Sequence, residues 1–382
     1  MIKAFEVFDT MRTANAGRLK EAREQGKKFV GTYCTFCPEE LIIAAGAAPF
    51  GLCGTKEDPI ASAEQVLPRN LCPLIKSSYG FAATGTCPYF QASDLIIGET
   101  TCDGKKKMFE VMNDLKPVHV MQLPHDPEAA ASLDLWKSEL NRLKDRLEEV
   151  FQTEITEDKL RAAMRLKNRE TTAKRRVHDL NQRVPAVISG IQVLTVTWMS
   201  GFALNKEEII EALEAYVDEA LVKADEGLAF GDQNTPRILV TGVPVGLGSE
   251  KVLRLVEDNG GAVVGLENCT GYKTLRLMTD PDAADPMEAL ARKYLGIPCS
   301  CMSPNKGRME LLSDMITDFT VDGVIDLTWQ ACHTYNIESY TVAELVKQKH
   351  NLPFLQLETD YSQSDVQTLN VRIAAFMEMI QK

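Results

Sequence analysis

The feature that most constrains this chain is an apolar run ending on a cysteine, Asp322-Gly-Val-Ile-Asp-Leu-Thr-Trp-Gln-Ala-Cys332, because it has an echo in Asp94-Leu-Ile-Ile-Gly-Glu-Thr-Thr-Cys102. Roughly 15 to 20 residues after each cysteine comes another strand-like run closing on Asp, Pro117 to Asp126 and Leu352 to Asp360. Internal recurrence of this kind predicts two related halves, each delivering a thiol from the end of a buried strand. With 382 residues the chain exceeds one ordinary core, which allows two lobes and more.

Around these runs the pattern alternates strand and helix with short links, the mark of parallel sheets covered on both faces. Phe29 to Cys34, Phe50 to Cys53 and Leu95 to Gly98 read as strands. Pro38, Glu39 and Glu40 suit the first turn of a helix that Gly46 ends. Residues 3–25 read as one or two amphipathic helices, and Cys87-Pro88 as part of a loop. From 127 to 235 the composition turns helical, with Trp136, Leu140, Leu143 and Leu147 at helical spacing. The second half opens at Pro236 with strand, Gly-rich turn, helix and strand, a βαβ unit. The expected architecture is α/β: two similar Rossmann-like or flavodoxin-like lobes, 1–126 and 236–382, joined by a helical insert, 127–235.

Charge and composition exclude several classes. A formal net charge of −12 opposes nucleic-acid binding, and Lys105-Lys106-Lys107, the one short basic run, reads as a solvated helix start. The N-terminal residues lack a secretory pattern, and the longest uncharged stretch, 184–204, is interrupted by Pro185, Gly190 and several hydroxyl residues. A cytoplasmic chain with no membrane partner is expected, where ten cysteines do not form a disulfide framework. The turn after Gly242 lacks dinucleotide spacing and no phosphate loop occurs, so no nucleotide is expected on this chain.

The cysteines then carry the chemistry. Cys34, Cys72 and Cys102 are 38 and 30 residues apart, and Cys269, Cys301 and Cys332 are 32 and 31 apart. All six fall at a predicted strand end or helix start, where parallel sheets gather their sites. Three thiolates per lobe suit a cubane iron-sulfur cluster with one iron left over. Cys34 and Cys37 also form a C-x-x-C, open to a redox pair or half a zinc site, although no partner pair follows. Cys37, Cys53 and Cys87 find no counterpart in the second half and read as packing residues. Cys299 competes with Cys301, which lies nearer the helix predicted to start at Pro304. Among proton donors, His333 beside Cys332 is the first candidate, then Glu267 and Tyr33, with Lys273 and Tyr335 behind. His119, His125, His178 and His350 read as ordinary.

The stretch Cys34 to Leu41 with Ala44-Ala45-Gly46, the strand to Cys102-Asp103, Thr241-Gly242, Glu267-Asn268-Cys269-x-Gly271, Pro298 to Cys301 and Asp322-Gly-Val-Ile together resemble the 2-hydroxyacyl-CoA dehydratase and benzoyl-CoA reductase subunit family, over nearly the whole chain. In those dehydratases a subunit holds one four-iron cluster, with cysteines of the kind found at Cys34, Cys72 and Cys102. The second triad departs from that pattern and resembles the double-cubane cluster proteins of the same family. That resemblance implies a double-cubane [8Fe-9S] cluster in the cleft between the lobes. It also implies reduction of a small-molecule substrate with electrons from a separate ATP-hydrolysing iron-sulfur reductase, and a homodimer. The alternatives are a CoA-ester dehydratase or dearomatising reductase subunit, and an electron carrier without its own substrate.

Overall fold

Buried apolar pentamers set the frame of the computed structural model, which describes residues 2–380. The first half contains β1 (Lys28–Thr32), β2 (Ala47–Gly51), β3 (Leu95–Glu99) and β4 (Val118–Met121). The second contains β5 (Arg237–Gly242), β6 (Ala262–Leu266), β7 (Gly323–Trp329) and β8 (Phe354–Thr359). Every residue of β3, β5, β6 and β7 is buried, because a parallel strand with helices on both faces has no solvent side. All pairings are parallel, and the strand orders are β2-β1-β3-β4 and β6-β5-β7-β8. The two sheets therefore repeat one topology, as the echoed runs predict. Each reverses its winding beside the first strand of its lobe, and the carboxyl ends there form a crevice.

Helix packing on the sheets is close. A Cβ at Gly98 in β3 would lie 2.4 Å from the Phe109 ring of the helix Asp103–Met112, so only glycine admits that helix.

Between the lobes run the helices Ala130–Phe151, Glu157–Asp179, Gly190–Ser200 and Lys206–Asp225. Trp136, Leu140, Leu143 and Leu147 form one fully buried stripe. The uncharged stretch that comes nearest to a membrane span becomes Gly190–Ser200, opened by a capping box between Ser189 and Gln192. Among the described residues no helix is long and apolar enough to cross a membrane. The N-terminal segment is a single helix, Phe5–Glu24, laid on these helices: Phe8 meets Tyr216 edge-on at 5.9 Å, and Glu219 accepts the amides of Lys3 and Ala4. One continuous core links both lobes and the helical layer.

Three local expectations change. Pro88 starts a short helix, Pro88–Ala92, whose cap Cys87 accepts from the Phe90 amide, so this is not a loop. The strand expected at Phe50 to Cys53 is Ala47–Gly51 and leaves Cys53 in the following loop. The helix after Cys301 begins at Lys306, beyond Pro304, with Asn305 before it.

Candidate functional site

Three thiols of this chain sit at the start of a substantial helix. Cys72 precedes Pro73–Thr84, Cys102 precedes Asp103–Met112 and Cys332 precedes His333–Glu344. Unpaired amides there favour negative sulfur, and the Lys105 amide donates to Cys102 Sγ at 3.5 Å. Cys34 lies farther out, four residues before the cap Pro38.

The lobes bring their thiols face to face. Cys72 meets Cys332 across the cleft, and the pair divides: the contact, with burial, raises Cys72, whereas the same contact lowers Cys332 to about 7. Cys34 feels Cys269 and Cys299, and Cys301 feels Cys34, after the dominant effects on each. Burial pushes Cys34 up against the opposing charge of Lys105, and raises Cys269 to about 11 against Lys273. Cys299 goes the other way: its bond with Cys301, then Lys273 and Tyr335, hold it low in spite of burial. Cys299 Sγ lies 3.7 Å from the Tyr335 hydroxyl. Cys299 is thus the deeper of the two neighbours and has a protein partner, while Cys301 is half-buried.

Strand position corrects one correspondence. Cys53 follows β2 as Cys269 follows β6, and Cys102 follows β3 as Cys332 follows β7. No cysteine follows β5 where Cys34 follows β1. By topology the counterpart of Cys269 is Cys53, which sequence spacing left without one; Cys53 Sγ donates to the Tyr33 carbonyl at 3.1 Å.

A cavity of about 220 Å³ opens where the first lobe, the helical layer and the second lobe meet. Cys34, Cys37, Cys53 and Cys269 reach its wall, together with Tyr33 and Lys105. Lys105 is a correction to the sequence reading. Lys106 and Lys107 pair with Asp103 and Glu110 at the surface, but Lys105 is buried and donates to the Tyr33 carbonyl at 2.7 Å. Lys105 shares the buried face of its helix with Met108, Phe109 and Met112, and periodicity marks position 105 only once that face is known.

The proton-donor candidates separate. His333 is exposed, follows Cys332 at the start of its helix and is not among the residues lining the cavity, which Cys332 does not line either. Glu267 is wholly buried, accepting from Thr241 Oγ1 at 2.6 Å and lying 3.4 Å from Lys273 Nζ and 3.3 Å from Arg308. Burial alone would raise its carboxyl, yet Lys273 and Arg308 hold it below the usual range. Tyr33 is buried on the cavity wall, and burial raises its phenol, which keeps the proton available. Lys273 donates to the Tyr335 hydroxyl, placing both beside Cys299.

Sequence reasoning also missed the inter-lobe pins. Glu40, read as a helix-start carboxylate, is wholly buried and accepts from Lys293 Nζ and the Tyr294 hydroxyl of the second lobe, each at 2.6 Å. Glu39 receives Lys167 of the helical layer at 2.6 Å. Neither partner could be found from local pattern, since both lie far away along the chain.

The donor set suits iron-sulfur ligation. Among the described residues no three or more His, Cys, Asp or Glu side chains close on a single-ion position. A cubane instead spreads its thiolates over different irons, and the groups gathered here are thiols without imidazoles.

The chain matches the family model described as 2-hydroxyglutaryl-CoA dehydratase, D-component, over residues 34–380. It is 49% identical over 376 residues to a protein of Escherichia coli (strain K12) named "Putative dehydratase subunit YjiM", covering 98% of this chain and 97% of that one. It is 24% identical over 368 residues to the (R)-phenyllactyl-CoA dehydratase beta subunit of Clostridium sporogenes, covering 95% and 94%. It is 20% identical over 383 residues to one of the subunits of benzoyl-CoA reductase from Thauera aromatica, covering 98% and 96%. Matched over nearly its whole length, and carrying the duplicated α/β lobes, this chain belongs to the 2-hydroxyglutaryl-CoA dehydratase D-component family.

Proposed function

We propose that this chain is an iron-sulfur oxidoreductase whose two cysteine triads hold a double-cubane [8Fe-9S] cluster. It would reduce a small molecule with electrons from a separate ATP-hydrolysing reductase. The observation that carries the reading is the meeting of thiols from both lobes, Cys72 with Cys332 and Cys34 within reach of Cys269, Cys299 and Cys301. Cys34, Cys72 and Cys102 would hold one cubane, and Cys269, Cys301 and Cys332 the other. Bound there, such a cluster supplies stored low-potential electrons.

The chain's own residues would do the rest. Lys105 and Lys273 place positive charge beside the thiolates, and Tyr33 presents a phenolic proton at the cavity wall. The reading also takes the chain as cytoplasmic and homodimeric.

Anaerobic iron and sulfide analysis with electron resonance of the reduced protein tests this. About eight irons per chain are expected, and four or fewer in intact protein would sink the double cluster. The second reading, a CoA-ester dehydratase or dearomatising reductase subunit, is favoured by the names of the relatives. It requires a partner subunit and predicts acyl-CoA binding.

A further inference from the structure

The cavity is lined on one side by ammonium groups that the protein does not fully neutralise. The helix Glu157–Asp179 contributes Lys167 and Lys174 to its wall, and the second lobe contributes Lys293. Behind Lys167 and Lys174 lies a connected ion network, with the Lys293–Glu40 pair separate from it. Glu170 receives Lys167 at 2.9 Å, Lys174 at 2.7 Å and Lys206 at 3.0 Å; Glu39 receives Lys167 at 2.6 Å and lies 3.6 Å from Lys206; and Glu40 receives Lys293 at 2.6 Å. Lys167, Lys174 and Lys206 thus share two carboxylates, Glu39 and Glu170, while Lys293 and Glu40 form a pair of their own.

The group left short is Lys174. Its one carboxylate is Glu170, which already serves two other lysines, and its side chain is only 15% exposed. Burial, with repulsion from Lys167 and Lys206, draws the Lys174 amine down despite Glu170. A buried surplus charge is costly unless a counter-charge accompanies it. Lys174 faces the cavity, so the counter-charge has a place to sit. Thr171, one turn earlier on the same helix, also reaches the wall and has a hydroxyl to offer.

Size limits the ligand. About 220 Å³ is below the usual range for a drug-sized molecule. Coenzyme A cannot be enclosed in such a space.

We propose that this cavity is a subsite for a compact anion, of carboxylate size, whose charged group is held by Lys174, beside the Lys167–Glu39 pair on the same wall, while the rest of the molecule points toward Cys34, Cys53 and Cys269. The assignment rests on the reading of the chain as a reductase of small molecules, and it deepens that reading by naming the substrate class.

The test is equilibrium binding of ¹³C-acetate to the anaerobically purified full-length protein, followed by nuclear magnetic resonance line broadening, with iron content measured on the same sample. Saturable acetate binding is expected, with acetamide, the neutral analogue, at least about tenfold weaker, as loss of a charge-assisted contact requires. Lys174→Met should lose the acetate effect, whereas Lys107→Met at the surface should keep it. Acetamide binding as well as acetate, or no saturation with either, overturns the proposal without any variant having to fold. Displacement of acetate by an equal concentration of coenzyme A would also overturn it, by assigning the anion to a larger ester. The two readings fail separately: eight irons without acetate binding leaves the double cluster standing, and acetate binding with four irons leaves the subsite standing.

Discussion

The guanidinium of Arg308 lies 3.3 Å from the Glu267 carboxylate, with both side chains wholly buried. Arg308 also donates to Thr241 Oγ1 at 2.9 Å and pairs with Glu338. Removing the guanidinium takes one of two buried cations from Glu267, leaving Lys273, and unpairs Glu338, so Arg308→Met should cost about 3 kcal/mol in a denaturant titration. Adding Glu267→Gln should recover part of that loss. An Arg308→Met protein within 1 kcal/mol or so of the parent would refute the anchoring role.

A second expectation concerns acid. His178 is fully buried with neither ring nitrogen bonded, and burial lowers it to about 3 from 6.5. Between these values the unfolded chain binds a proton that the folded chain refuses. Its stabilising effect is therefore complete above pH 6.5 and is lost progressively as pH falls toward 3. From pH 7 to pH 5 this residue should account for about 2 kcal/mol of lost stability. His178→Phe should flatten the unfolding free energy against pH by that amount, and an unchanged slope would contradict it.

The backbone at the end of β5 gives a third. Gly242 has φ +108°, and a Cβ there would lie 2.0 Å from the Leu327 carbonyl of β7. The positive φ alone should make Gly242→Ala cost about 1–3 kcal/mol, and the clash adds to it. Gly46 also has positive φ, +81°, but open space around it. Gly46→Ala should therefore be the milder change in the same thermal melt.

The neighbouring cysteines give the fourth. Cys299 is held by Tyr335 and Lys273, whereas Cys301 is half-buried and within reach of Cys34. Cys301→Ser should lose roughly half the iron, as loss of one ligand from one of two cubanes implies. Cys299→Ser should retain it. The reverse pattern in anaerobic iron analysis would exchange their roles.

Much of the lobe architecture was legible because parallel strands in a covered sheet must be apolar along their whole length, and the runs ending at Cys102 and Cys332 are. The helical layer was legible from Trp136, Leu140, Leu143 and Leu147. What local pattern could not give was direction at a helix start. Lys105 and His333 both sit beside a thiol in sequence, yet the helix turns Lys105 inward and His333 out. Cys53 escaped because its equivalence to Cys269 is one of strand order, not of spacing.

The sequence by itself determined that the chain folds as two repeated α/β lobes and that thiols stand at their strand ends, since periodicity and helix-start chemistry are local. Only the tertiary structure decided which thiols meet and where charge gathers. Glu40 finds Lys293, Glu39 finds Lys167 and Cys72 finds Cys332 across long stretches of chain. Burial and Coulomb energy depend on distance in space, which spacing along the chain does not encode.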